Sequence, residues 1–124
     1  MHALITQLRA IKIDPDACQV ELIHLEPEEV ASTLRSALTE TIDFEDGHCL
    51  VIDDGSATTD HPCRFRFADD AQQRPLFGPV LILGLANSNW APATLDVEDI
   101  RTRIIWEHWD GDAQRYAEPA LEQA

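Results

Sequence analysis

Positive charge is what this chain has least of. Nine Lys and Arg, among them the single lysine Lys12, stand against 23 Asp and Glu, for a formal net charge of −14 at pH 7. Such a surface repels phosphate backbones at long range, which argues against direct nucleic-acid binding. It favours basic partners, or proteins that themselves bind nucleic acid. Long apolar runs are missing too: none approaches the ~20 residues that a membrane-spanning helix needs. Met1-His2-Ala3-Leu4 shows no basic stretch leading into a long apolar one. The expectation is a cytoplasmic protein with no membrane contact. Cysteine is sparse and odd in number. Cys18, Cys49 and Cys63 cannot all pair within one chain, and their alternating apolar neighbours suit reduced, buried thiols. No phosphate-binding glycine loop, G-x-S-x-G or H-E-x-x-H motif occurs. What the chain does have is 44% hydrophobic residues in 124, enough to bury one core without disulfides or metal.

Residues 7–13 and 18–25 read as a hairpin, joined by Asp14-Pro15-Asp16-Ala17, with proline at the second position of a type I turn. Pro27 suits a first helical position, and Glu26, Glu28 and Glu29 put negative charge where the helix dipole favours it. Val30, Leu34, Ala37 and Leu38 then recur on one stripe, predicting one principal helix at about 27–39. Asp46-Gly47 is a hairpin turn leading into His48–Asp53, and Cys63–Phe67 is spaced to fold back against that strand. Cys63, Phe65 and Phe67 should face the core, with Arg64 and Arg66 facing solvent or carboxylates. The continuous apolar run Val80–Leu85 predicts a strand covered on both faces and central in its sheet. Asp96 suits a helix N-cap. Helical and β-branched signals overlap across 101–109, where a turn of helix followed by a strand near 102–108 is the preferred assignment. The fold class expected is α+β: a mixed, mainly antiparallel sheet with the principal helix packed on one face. Residues 1–111 would form a single domain, and 112–124 a frayed acidic tail.

His48, Cys49, His61 and Cys63 resemble a zinc ligand set by residue type. Their H-C-x11-H-x-C spacing fits poorly, and adjacent strand residues point to opposite faces. No metal site and no cofactor is therefore expected, His48 being read as a surface histidine. Asp53 and Asp54 end a strand, with Asp60 and His61 across the following loop. They are the candidate groups for a small metal-dependent, hydrolase-like enzyme, although Asp and Gly after a strand are also ordinary turn chemistry. Glu26, Glu28, Glu29, Asp46 and the loop residue Trp90 are candidates for protein contact. The acidic residues at 26, 28, 29, 40, 43, 45 and 46 would imitate a row of phosphates if they shared one face.

Three stretches carry a resemblance to a known family: Ile11–Asp14 through Val20-Glu21-Leu22, Asp46–Gly55, and Leu76–Gly84. Over about 11–84 the chain resembles the uncharacterised family called domain of unknown function 3846, small proteins or modules often carried by plasmids and phages. The resemblance implies an accessory protein of a mobile genetic element and transfers no functional residues. The leading functional expectation is a non-enzymatic accessory protein acting by protein–protein contact through its acidic surface. In its sharper form the protein mimics nucleic acid and blocks a DNA-binding protein. The alternatives are the enzyme built on Asp53, Asp54 and His61, and a homodimerising structural module.

Overall fold

A computed structural model describes residues 7–36, 38–53 and 62–118. Its strands are β1 (Leu8–Asp14), β2 (Gln19–Leu25), β3 (Thr39–Phe44), β4 (His48–Asp53), β5 (Cys63–Phe67), β6 (Leu76–Phe77), β7 (Val80–Ala86), β8 (Asn89–Ala91), β9 (Ile104–Asp110) and β10 (Arg115–Ala117). They form two sheets, and every pairing among the described residues is antiparallel. The larger sheet runs β2-β1-β7-β4-β3, with β8 on the end of β7; the smaller runs β10-β9-β5-β6.

Side-chain alternation explains the layering. Ile11, Ile13, Leu50, Ile52, Val80 and Ile82 point from the larger sheet toward Phe65, Phe67 and Leu76 of the smaller one, forming the main core. The intervening Leu8, Ala10, Cys49, Val51, Leu81 and Leu83 point the other way, onto Val30 and Leu34. Both faces of β7 are thus covered, which is why Val80–Leu83 can be uniformly apolar; it lies between β1 and β4 as the run predicted. Burying each such side chain removes it from water at a gain of about 1.5–3 kcal/mol.

The principal helix expected at 27–39 is not found. A 3-10 turn, Pro27–Glu29, runs into α1 (Val30–Thr33), giving seven helical residues. The N-terminal signals do act: the Glu26 N–H donates to Glu29 Oε1 at 2.7 Å. The apolar stripe fails to continue because the chain turns left-handed at Arg35, φ 53°. Ser36 N–H donates to the Ala31 carbonyl (2.9 Å) and Arg35 N–H to that of Ser32 (3.0 Å), the Schellman pattern that ends a helix. Leu38, expected on the buried stripe, is 65% exposed.

Two further expectations change. β5 does not fold against β4: β4 pairs with β3 and β7, while β5 pairs with β9 and β6 in the other sheet. Within the segment read as a tail, Arg115–Ala117 form β10 on β9; residues 119–124 lie outside the described residues. The ambiguous 101–109 stretch divides as preferred, into α2 (Val97–Thr102) and β9, with the Asp96 side chain accepting the Glu98 N–H at 3.3 Å.

Candidate functional site: a groove between two sheet edges

The larger sheet ends at β3 and the smaller at β6. Between them runs a groove made of two cavities of about 400 and 350 Å³ that share Arg74 and Leu76. Alternation along β3 sends Ile42 and Phe44 toward the main core as half-buried residues. Phe44 lies against Phe67, with ring centroids 5.1 Å apart. Leu50, Ile52, Leu76 and Phe77 complete an apolar floor, and Glu40, Asp43, Glu45, Asp69 and Asp70 supply carboxylates around it.

The groove's shape is held by charge pairs. Arg103, at the end of α2, reaches Glu45 (2.5 Å) and Asp69 (3.1 Å), and lies 5.5 and 5.8 Å from the Phe44 and Phe67 ring centres. The Glu45 carboxylate raises the Arg103 pKa against the opposing effect of burial, with Asp69 adding to it. Asp70 accepts the backbone N–H groups of Arg74 and Gln72, which hold its carboxyl below the usual range and fix the loop that forms the far wall. The near wall ends in the β3–β4 turn. Asp46 and Gly47 both take positive φ (53° and 73°), and His48 N–H closes the turn on the Glu45 carbonyl at 3.0 Å. This is the type I′ geometry that Asp-Gly favours. The groove thus pairs an apolar floor with five carboxylates, two of them held by Arg103. That chemistry suits an extended chain carrying basic and apolar side chains.

Of the sequence-derived candidates, Asp46 lies in the turn that ends the near wall. Asp53 ends β4 with its Oδ1 2.7 Å from Ser36 Oγ, a link to the segment after α1. Asp54, Asp60 and His61 lie outside the described residues. His48, expected at the surface, is buried: its Nε2 accepts the Thr94 N–H at 2.9 Å, and Nδ1 lies 3.0 Å from the Asp46 carbonyl oxygen. Cys49 shares a different face with Val51, so the adjacent His48 and Cys49 diverge as alternation requires. Cys49 is buried, Cys63 half-buried and Cys18 exposed, the last correcting the expectation of three buried thiols. Desolvation raises the pKa of all three, with nearby carboxylates adding to it, so they are protonated thiols rather than nucleophilic thiolates. Among the described residues no three His, Cys, Asp or Glu side chains converge to hold a metal ion.

Glu26, Glu28 and Glu29 belong to the helical turn on the far face of the larger sheet, whereas Glu40, Asp43 and Glu45 line the groove. The acidic residues therefore divide between two surfaces instead of forming one row. Trp90 lies on β8, opposite Leu85, and is half-buried against the helix-side core. The groove residues Ile42, Asp69, Arg74 and Arg103 were not singled out from sequence. Their roles depend on two edges from different sheets coming together, and no local pattern announces that.

No family model, curated protein or solved structure matches the chain. Among the described residues no helix is long and apolar enough to cross a membrane.

Proposed function

We propose that this is an acidic accessory protein that acts by protein–protein contact, taking a basic segment of its partner into the groove between β3 and β6. The observation that carries this reading is the set of Glu40, Asp43, Glu45, Asp69 and Asp70 around an apolar floor, in a chain of net charge −14. The floor provides apolar contact area, and the carboxylates select positive charge and speed encounter. A nucleic-acid-binding protein is a fitting partner, because its basic surface already accommodates phosphates; occupying that surface would block it. The resemblance to the plasmid- and phage-borne family agrees with an accessory role on a mobile element.

The test is a titration of a labelled peptide of alternating lysine and valine, followed by fluorescence anisotropy. Binding should weaken at least tenfold between 50 and 300 mM salt. The pair Glu40→Lys and Asp43→Lys should weaken it by a similar factor, while Glu28→Lys on the opposite side of the sheet should change it less than threefold. Salt-independent binding, or equal loss from both sets of variants, would refute the groove as the contact site.

A further inference from the structure

We infer that β3 is a docking edge: an extended basic segment of the partner adds to the larger sheet as a further strand alongside β3, with alternate side chains entering the groove. This rests on the proposed function and specifies how the partner is held. A strand at the end of a sheet directs alternate N–H and C=O groups away from its only neighbour, a ready template for another chain.

The four sheet ends are not equivalent. β6 and β10 have two and three residues, too few for an extended ladder. β2 has seven, but Arg101 of α2 donates to its Val20 carbonyl at 2.5 Å and occupies part of that edge. β3 has six residues, pairs with β4 alone among the described strands, and borders the groove along its length.

Charge decides the occupant. Glu40, Thr41 and Asp43 are exposed on β3. Two copies meeting edge to edge would place carboxylates near carboxylates, an arrangement that opposes self-pairing. A segment alternating lysine or arginine with aliphatic residues avoids this conflict. Its aliphatic side chains enter the groove against Ile42, Leu76 and Phe77, and its basic ones, on the other face of the added strand, meet Asp43.

The test uses the full chain and the lysine–valine peptide in three forms: unmodified, and N-methylated at either alternate set of residues. N-methylation removes a backbone donor without changing side-chain charge. One methylated form should bind at least tenfold more weakly and the other within threefold of the unmodified peptide. Amide exchange across 39–44 should slow at least tenfold on saturation. If the unmodified peptide binds with the expected salt dependence, yet both methylated forms bind equally and β3 exchange is unchanged, strand addition is wrong while the acidic groove stands. Absence of binding by the unmodified peptide overturns both. A dimer in light scattering that is lost in the Glu40→Lys, Asp43→Lys variant would make a second copy the occupant, and would also overturn the inference.

Discussion

Arg64 and Glu107 face each other across adjacent strands of the smaller sheet, with 2.7 Å between Nε and Oε1. Arg66 takes the other carboxylate oxygen at 3.0 Å, so one buried acid holds two arginines. Arg64 also lies 3.9 Å from the centre of the Tyr116 ring, tying β5 to β10. Burial raises the Glu107 pKa, but the hydrogen bonds and charges of Arg66 and Arg64 outweigh it and hold the carboxyl below its usual value. A carboxylate depressed in the folded state contributes stability that is fully present above its unfolded pKa, about 4.3. That contribution is lost as pH falls through the folded value. Glu107→Gln should therefore cost about 2 kcal/mol at pH 7, less than a fully buried pair because both arginines are about a quarter exposed. Urea melts should show the difference from the parent shrinking steadily below about pH 4.3; a difference that does not change with pH would refute this account.

Arg35 is expected to be the easiest place to gain stability. It occupies the left-handed position of a Schellman motif, where a side chain costs about 1 kcal/mol that glycine avoids. The extra unfolded-state freedom of glycine offsets part of this, leaving a net gain of about 0.5 kcal/mol for Arg35→Gly. A higher urea midpoint with unchanged slope is the outcome to look for. A lower midpoint would mean that the arginine side chain contributes more than the backbone strain costs.

Much of the frame was legible before any coordinates. The hairpin of β1 and β2, the Asp46-Gly47 turn, the central β7 and the helix-to-strand change near 102 each have a local chemical signal. Failures came where the local pattern carried too little information. The stripe Val30, Leu34, Ala37 and Leu38 has helical spacing, but no glycine marks the stop at Arg35. Cys63–Phe67 alternates correctly, and alternation cannot say which of two sheets a strand joins. The groove was the least legible part. An acid at a strand end such as Asp53 can be picked out from local sequence, whereas the groove carboxylates Glu45 and Asp69 are brought together by Arg103, which ion-pairs with a residue 58 positions away.

The hydrogen bonds of His48 select one arrangement of its ring nitrogens. Because Nε2 accepts the Thr94 N–H, the ring proton belongs on Nδ1, where it can donate to the Asp46 carbonyl. Nitrogen-detected NMR of labelled histidine should show Nε2 unprotonated. His48→Leu removes the acceptor and leaves the Thr94 N–H unpaired beside the β3–β4 turn, at a cost of about 1–3 kcal/mol. The same substitution should speed exchange of the Thr94 amide, and an unchanged rate would show that another group accepts that proton.

The glycines separate two reasons for lacking a side chain. A Cβ at Gly84 would lie 2.6 Å from the Pro92 carbonyl oxygen and 3.2 Å from that of Ala91, so β8 and the loop after it would have to move. The obstacle is backbone rather than the end of a flexible side chain, and Gly84→Ala should cost about 2–3 kcal/mol. Gly47 has open space around it but a φ of 73°. Gly47→Ala should therefore cost about 1 kcal/mol through backbone strain alone. At Gly111 neither condition applies, because nothing lies within 4 Å and φ is not positive. Gly111→Ala should be neutral or slightly stabilising, since alanine restricts the unfolded chain. Parallel urea melts of the three variants should rank them in that order, and Gly84→Ala should also alter the fluorescence of the neighbouring Trp90. Equal costs at positions 84 and 47 would show that β8 yields easily, and would remove the close approach of β8 as the reason for glycine at position 84.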